Sequence, residues 1–542
     1  MKRPNPVLLF GLLAAALALI GGMELLKGGV FIAKHEGDTL HLLDIVSRMA
    51  DGQRIHQDFM TPIGVLAFAP IVAVFAAGAT IGKAMILAQI GTALVLLPAI
   101  WWVAQRLPRL AAYLVGLYLV VLCMALTYGG TEVTLSMSMH YNRWAWVLAY
   151  LALLPALVPA RARRRAETLD GLVIGLAMAA LVLLKITYFM ALLLPVVVSL
   201  AMLNARRTLL TAFLAGVAVA LVVTLWGGPA FWLGYIGDLR TVAESPLRTQ
   251  PGLPIGNLMG APSFLPINIL LLLSVVLMRQ AHRGRVGLVL LLLLPSMLYI
   301  ELQNFGNDPQ WLVLLGVLLM TLRPGAEMVN GWGWNLRNAF NLTAAAVMAF
   351  AAPSVLNLGY SPWRHLWLDT SDYVAMIPNN PRYGDLGLPQ VRYARADGKI
   401  PLDGEGSGLD HLASFAERDK DEAELSGEPL RSCGLEMGIE GVFDAVAGDL
   451  KKAGFEGRRI FEADLFNALW LFGDFPPLIG AAPWYYGGTP GMADADLVLV
   501  PECAVSLPAR KTKLDAISEA GYVLAPIRET PLYTLYSVTP PG

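Results

Sequence analysis

The apolar stretch VLLFGLLAAALALIGG, residues 7–22, decides the fold class of this chain. It carries no charge. In a helix its residues rise 1.5 Å each and cover about 24 Å. With Pro6 and residues 23–26 the stretch is long enough to cross the hydrocarbon core of a bilayer. No convincing cleavage site leads from it into a soluble chain, so we interpret it as an uncleaved first span, with Lys2 and Arg3 holding the N-terminus in the cytoplasm.

Similar apolar blocks follow through the first two thirds of the chain. The protein has 542 residues, of which 56% are hydrophobic and 15% charged. This composition, in long blocks, predicts a polytopic α-helical membrane protein. The further blocks lie at residues 63–81, 84–104, 110–128, 144–159, 169–184, 187–203, 208–226, 264–280, 286–300, 311–322 and 338–356.

The breaks between the blocks indicate the orientation. Because basic residues favour the cytoplasmic side, the arginine-rich breaks are expected there. If both 63–81 and 84–104 crossed the membrane, Arg106 and Arg109 would lie outside, so we predict that 63–81 is only a partial or interfacial segment. The expected topology has about eleven transmembrane helices and an outside C-terminus. The arginine-rich breaks are residues 106–109, 161–165, 206–207 and 279–285.

The composition changes near Tyr360, where a mostly polar stretch begins. We therefore predict a transmembrane module at 1–358, with an outside loop at 24–62, and a periplasmic soluble α/β domain at 359–542. In that domain the residue patterns predict helices at 441–453 and 509–520, strands at 459–461 and 497–500, and a hairpin at 522–526 and 532–538. The Gly-rich, acidic residues 397–428 predict an extended linker.

Three cysteines agree with this division. Cys433 and Cys503 lie in the outside domain, where an oxidising compartment would allow a disulfide. Two unrelated buried thiols are the alternative. Cys123 lies within an apolar block and is expected to pack as a small hydrophobic residue.

Several function classes are excluded by the residues. The formal net charge is −1 and no basic patch with interleaved aromatic residues is present, so we expect no nucleic-acid partner. The sequence has no phosphate-binding loop, no nucleophile elbow and no zinc-protease motif. Any reaction must therefore draw its free energy from an activated substrate.

The loop 24–62 concentrates carboxylates beside the membrane. Glu36, Asp38, Asp44, Asp51 and Asp58 lie in it. Acids at the surface of a strongly apolar protein indicate general-base or metal chemistry, because they have no packing use there. A merely solvated loop is the alternative.

Short patterns in this loop resemble the first periplasmic loop of the GT-C glycosyltransferases. The most similar branches are the protein mannosyltransferases and the lipid A aminoarabinose transferases. The resemblance covers roughly residues 1–200 in arrangement, and a soluble C-terminal domain is also a recurring family feature. The patterns are an acidic pair near the start of the loop, Ile45-x-x-Arg48-Met49-x-x-Gly52, Gln57-Asp58-Phe59 and Thr61-Pro62-Ile63-Gly64.

The resemblance implies a multi-pass enzyme of the bacterial inner membrane. It would move a hexosyl or pentosyl group from a polyprenyl-phosphate donor to a lipid, glycan or protein acceptor on the periplasmic side. The family's early loop aspartate deprotonates the acceptor, and this role falls on Asp38. Glu36 stays open as the base, because Gly37 separates two acids that are often adjacent in the family. Asp58 would support the acceptor or, with Asp38, a divalent cation, and metal dependence stays open.

The residues themselves allow a structural role for the same acid. Leu42, Ile45 and Met49 recur at helical spacing, which predicts a helix that begins near Asp38. Asp38 would then be an N-cap, in addition to or instead of a base. His41, one turn along, either orients Asp38 or is a plain interfacial histidine.

Lys185 is the strongest signal outside the loop. A lysine between two apolar runs costs roughly 2.5–3.5 kcal/mol if left in hydrocarbon, so it must snorkel, pair or face a polar cavity. The resemblance implies a basic residue here that binds the donor phosphate. Arg143 is a second candidate for the phosphate or an interfacial anchor, and Tyr141 and Asn304 are candidate substrate-binding residues on the same side.

Aromatic residues 484–488, WYYGG, offer a surface for a sugar or a corner of an aromatic core. Two other function classes stay open. A lipid-linked glycan ligase or polymerase would carry basic residues in a late outer loop, but 301–310 has none. A transporter or flippase of lipid-linked sugars would show an internal repeat, and we find none.

Overall fold

The computed structural model describes residues 3–542 except 128–132, 138, 159–163, 249–251, 253, 261–262, 305–308, 404–407, 413–422 and 426. A bundle of helices forms the first two thirds, and short sheets with flanking helices form the last third. The described α-helices are α1 (Pro6–Lys27), α2 (Glu36–Ala50), α3 (Ala69–Ala76), α4 (Ile81–Ala104), α5 (Arg109–Met124), α6 (His140–Leu157), α7 (Arg164–Leu184), α8 (Ile186–Met202), α9 (Arg206–Ala243), α10 (Ile255–Gly260), α11 (Phe264–Gln280), α12 (Gly284–Gln303), α13 (Trp311–Leu322), α14 (Leu336–Leu366), α15 (Gln390–Ala394), α16 (Ile439–Lys452) and α17 (Leu507–Glu519).

The strands are short. They are β1 (Val30–Phe31), β2 (Tyr373–Ala375), β3 (Leu386–Pro389), β4 (Asp397–Lys399), β5 (Glu424–Leu425), β6 (Glu428–Pro429), β7 (Gly434–Met437), β8 (Ile460–Glu462), β9 (Leu497–Pro501), β10 (Val523–Glu529) and β11 (Tyr533–Thr539).

Six described helices are long and apolar enough to cross a membrane: α1, α4, α9, α12, α14 and residues Ala166–Leu184 of α7. Four shorter apolar helices, α5, α8, α11 and α13, accompany them. The length and apolar composition of these helices indicate a membrane-embedded chain. In the predicted partial segment 63–81, α3 has only 8 residues and follows a short 3-10 helix. Its length of about 12 Å is too short to cross, which confirms the expectation for this segment.

The arginine-rich breaks meet at one end of the bundle, where α6 ends. Arg106 donates a hydrogen bond to the Val158 carbonyl and pairs with Asp170 at 2.7 Å. Arg285 donates to the carbonyls of Ala156 and Leu157. Of the break at 161–165, residues 161–163 lie outside the described part of the chain.

The elements predicted in the C-terminal third are confirmed as α16, α17, β8, β9 and the hairpin of β10 and β11. These four strands form one sheet in the order β10-β11-β9-β8. Cys433 and Cys503 form the expected disulfide, and Cys123 is buried outside it. Part of the predicted linker is instead regular, because β4 pairs with β7. Residues 404–407, 413–422 and 426 of that linker lie outside the described residues.

The C-terminal third is joined closely to the N-terminal module. Helix α14 continues to Leu366, past the predicted boundary at 358. Strand β1 of the loop 24–62 pairs in parallel with β3, and β3 pairs with β2. The loop and the C-terminal third therefore share a sheet and lie on the same side of the bundle.

Candidate functional site

Helix α2 carries the acidic residues of the loop. It begins at Glu36, two residues before the predicted start, and its N-cap is His35 in the left-handed conformation with φ 62°. The His35 carbonyl accepts the Thr39 N–H at 3.0 Å. Asp38 thus lies in the first turn, and the expectation that it is the N-cap was wrong. Its carboxylate lies 3.6 Å from the His35 ring nitrogen Nδ1.

Three consecutive residues at the start of α2 face three different neighbours. Glu36 forms a two-point ion pair with Arg392, including an Nη2 to Oε2 bond of 3.0 Å. Gly37 packs against Phe466, whose Cζ would lie 2.8 Å from an added Cβ. Asp38 lines a small cavity. The ion pair engages the Glu36 carboxylate, whereas Asp38 lines the cavity and lies beside His35.

The Asp38 cavity is lined by residues from three stretches of the chain, 38–42, 63–68 and 137–141. Tyr486, from the C-terminal third, interacts electrostatically with both Asp38 and Arg248. Burial raises the pKa of Tyr486 to about 12, while Arg248 lowers this pKa and Asp38 raises it. The cavity is lined by Asp38, His41, Leu42, Ile63, Phe68, Met137, Met139, His140 and Tyr141.

His41 reaches the same cavity but is not a cation. Its side chain is buried, and its ring lies 5.6 Å from that of Trp484 in a T-shaped arrangement. Burial lowers the pKa of His41 to about 4, so the ring is neutral near pH 7. Its Nε2 atom has no hydrogen-bond partner among the described residues. The structure therefore supports an aromatic contact of His41 in the cavity wall.

Lys185 lies at a break between α7 and α8. The Thr61-Pro62-Ile63-Gly64 motif docks at this break, where the Gly64 N–H donates to the Leu184 carbonyl at 3.2 Å. A Cβ at Gly64 would lie only 2.1 Å from the Leu183 carbonyl oxygen. Only glycine fits this approach, so the motif shapes the backbone that presents Lys185.

The Lys185 ammonium is held by a polar cluster. It donates to Oδ1 of Asn142 at 2.8 Å and to Oδ1 of Asn304, and it lies 5.4 Å from the centre of the Tyr141 ring. Asn304 in turn donates to the Tyr188 hydroxyl at 3.0 Å. The structure thus brings together three predicted site residues, Lys185, Tyr141 and Asn304. Asn142 and Tyr188 join them without having been predicted.

Arg248 is a further cation that sequence reasoning missed. It donates to the side chain and carbonyl of Gln303 at 3.2 and 3.4 Å. It is close enough to interact electrostatically with Lys185 and Tyr141. Nothing in the sequence distinguishes Arg248 from Arg240, another basic residue between the apolar blocks 208–226 and 264–280. Arg240 instead forms an exposed ion pair with Glu244.

Two predicted residues lie elsewhere. Arg143 is buried, donates to the Thr127 carbonyl and interacts with Glu24 of α1, so the structure does not bring it to Lys185. Asp58 accepts the Arg54 N–H at 2.7 Å through its carboxylate. It is not among the residues that line the Asp38 cavity. The expectation that Arg143 binds the donor phosphate together with Lys185 is therefore corrected. The expectation that Asp58 acts beside Asp38 is corrected as well.

An apolar groove of about 640 Å³ lies between α7, α8 and α9. Its lining runs from Ile174 and Leu200 to Val182 and Leu183, two residues before Lys185. The groove therefore leads along the helices towards the polar cluster.

No group of three or more His, Cys, Asp or Glu side chains placed to bind a metal ion is found in the described ranges. Comparisons with protein-family models, with curated proteins and with solved structures give no match to this chain.

Proposed function

We propose that this protein is a GT-C-like membrane glycosyltransferase that moves a sugar from a polyprenyl-phosphate donor to an acceptor outside the membrane. One observation carries the proposal: Tyr141 contacts Lys185 and lines the cavity of Asp38. A candidate proton acceptor, Asp38, and a candidate phosphate-binding cation, Lys185, thus both lie near Tyr141. Glycosyl transfer from a phosphate carrier needs these two groups.

The acid would act on the acceptor. Asp38 takes the proton of an acceptor hydroxyl while the acceptor oxygen forms a bond to C1 of the sugar. The bond between C1 and the phosphate oxygen breaks, and polyprenyl phosphate leaves with the electron pair. Lys185 and Arg248 stabilise the charge that develops on the phosphate.

The apolar groove suits the carrier. An isoprenoid chain in the groove between α7, α8 and α9 would bring its phosphate to the end where Lys185 lies. Apolar residues of the groove would then bind the chain, and the charged cluster would bind only the head group.

For the topology we propose eleven crossing helices: the six long ones, the four shorter ones and α6. The arginine-rich end would face the cytoplasm. Helix α6, with 18 residues, spans about 27 Å between that end and the Lys185 cluster. The site and the C-terminal third would then lie on the periplasmic side of a bacterial inner membrane.

A lipid-linked glycan ligase or a flippase would also need a groove and a phosphate-binding cation. Asp38 argues against a flippase, which has no use for a general base, and the lack of basic residues in 301–310 argues against the ligase. Asp38 and Lys185 both lie near Tyr141, and Asp38 does not line the groove, which supports transfer.

Donor binding can be tested with purified protein in nanodiscs, using polyprenyl phosphate and the uncharged polyprenol as probes. We expect polyprenyl phosphate to bind and polyprenol to bind at least about tenfold more weakly, because the ammonium recognises charge. Lys185→Met should remove this preference, whereas Arg240→Met, which alters an exposed ion pair, should keep it. Equal binding of both probes to the unaltered protein would contradict the proposal.

A further inference from the structure

Residues 478–488 of the C-terminal third run along α2 from one end to the other. Near the end of α2, Arg48 is fully buried and donates to Asp44 at 2.5 Å and to the Leu478 carbonyl at 2.6 Å. Its guanidinium lies 5.3 Å from the centre of the Trp470 ring, and Trp470 also donates to Asp44. A buried charge needs such partners, so Arg48 fixes the start of the segment on α2.

The segment is next tied to the loop that follows α2. The Gly480 N–H donates to the Asp58 carbonyl at 2.6 Å, and the Met60 N–H donates to the Ala481 carbonyl at 2.9 Å. Farther along, Trp484 packs on His41 and Tyr486 interacts with Asp38. From Arg48 to Asp38 the segment follows α2 over about 15 Å.

A second contact fixes the far end of the segment. Phe466 packs edge-on against Trp484, with ring centres 5.1 Å apart. The same ring fills the space that Gly37 leaves open beside Asp38. Gly37, between Glu36 and Asp38, is therefore a position where a side chain of the C-terminal third packs directly on the backbone of the first turn of α2.

We propose that segment 478–488 forms the acceptor-side wall of the site and that Arg48 and Gly37 are positioning residues for it. This inference rests on the proposed function. The donor phosphate and its chain belong to Lys185 and the membrane groove, so the acceptor must reach Asp38 from another direction. The wall offers the Tyr486 hydroxyl and the Trp484 ring there, which suit an acceptor that carries hydroxyl groups, such as a glycan.

The test uses amide hydrogen exchange of the full-length protein. Gly37→Ala puts a methyl group against Phe466 and should raise exchange in 478–488 by about tenfold or more. Phe466→Leu in the same chain should restore protection by removing the ring. Gly22→Ala, whose methyl group would meet nothing within 4 Å, is the control. Arg48→Lys should loosen the segment from its other end.

Kinetics separate a substrate-binding wall from a purely structural one. In Tyr486→Phe and in Gly37→Ala, the acceptor KM should rise by about tenfold while the affinity for polyprenyl phosphate stays within about twofold. Unchanged exchange in both Gly37→Ala and Arg48→Lys would overturn the positioning role. Raised exchange with an unchanged acceptor KM would overturn the acceptor-side assignment. If polyprenyl phosphate binds neither the unaltered protein nor any variant, the proposed function fails. The hydrogen-exchange result would still decide whether Arg48 and Gly37 position the segment.

Discussion

The Lys185 ammonium lies 5.4 Å from the centre of the Tyr141 ring, and Tyr141 also lines the cavity of Asp38. Tyr141 and Lys185 come from different helix ends, since Tyr141 lies in the first turn of α6 and Lys185 separates α7 from α8. Their contact joins the proposed donor site to the proposed base. Any change that moves the α7–α8 break should therefore weaken donor binding.

Gly64→Ala tests this dependence. The new methyl group would collide with the Leu183 carbonyl, so the break must shift. We expect the affinity for polyprenyl phosphate to fall by about tenfold or more, because the position of Lys185 depends on this backbone. Gly91→Ala, at a helical position with nothing within 4 Å, should bind normally. Normal binding by Gly64→Ala would show that the Thr61-Pro62-Ile63-Gly64 motif does not position Lys185.

Glu440 predicts a pH dependence of stability. Burial raises the pKa of this carboxyl from 4.5 to about 8, with Glu36 adding to the rise and Arg392 opposing it. Between these pH values the folded protein holds a proton that the unfolded chain has lost. Stability should therefore fall as the pH rises through this window.

Melting temperatures at pH 5 and pH 8.5 check this prediction. Glu440→Gln should lose less stability over the interval than the unaltered protein. The exposed Glu436 offers a matched control, since Glu436→Gln should leave the pH dependence unchanged. Parallel curves for Glu440→Gln and the unaltered protein would show that Glu440 is not the responsible group.

The disulfide should stabilise the C-terminal third. Cys433 and Cys503 are 70 residues apart, and closing such a loop contributes on the order of 4 kcal/mol. Replacing both by serine should lower the melting temperature, and a reductant should then have no further effect. Cys123→Ser is the control for a cysteine outside the bridge. Alkylation of both Cys433 and Cys503 in the unreduced protein would contradict the pairing.

The orientation can be tested with fused reporters. Strand β1 pairs with β3, so the loop 24–62 and the C-terminal third must lie on one side of the membrane. A periplasmic reporter after Gly542 should be active, and one after Arg165 should be inactive. The opposite pattern would contradict the proposed topology, because it would place the C-terminal third in the cytoplasm.

The sequence predicted much of the fold because its signals are local. Apolar blocks indicated the long helices, and the spacing of Leu42, Ile45 and Met49 indicated α2. The start of α2 was missed because His35 caps it in a left-handed conformation that capping preferences do not favour. The partial segment was predicted from charge bias, although its apolar block at 63–81 is long enough to cross, and in the structure α3 covers only 8 residues of it.

The site was harder to predict because it depends on which way each side chain faces. Asn142 and Arg143 are neighbours in sequence, but successive helical residues point about 100° apart. Asn142 therefore meets Lys185 while Arg143 faces Glu24. Arg248 follows α9, and α9 is kinked at Gly228. The sequence does not indicate the direction of this kink, so the approach of Arg248 to the cluster could not be predicted.

The most direct test is turnover of polyprenyl-phosphate-linked sugars by the Asp38→Asn variant. Asparagine keeps the size of the side chain but cannot accept the proton. With a panel of labelled donors and an outer-membrane lipid and glycan extract as acceptor, the unaltered protein should release polyprenyl phosphate and label an acceptor. Asp38→Asn should bind the donor normally and transfer at least about a hundredfold more slowly. Near-normal transfer by Asp38→Asn, at equal expression and thermal stability, would contradict the role of Asp38 as the base.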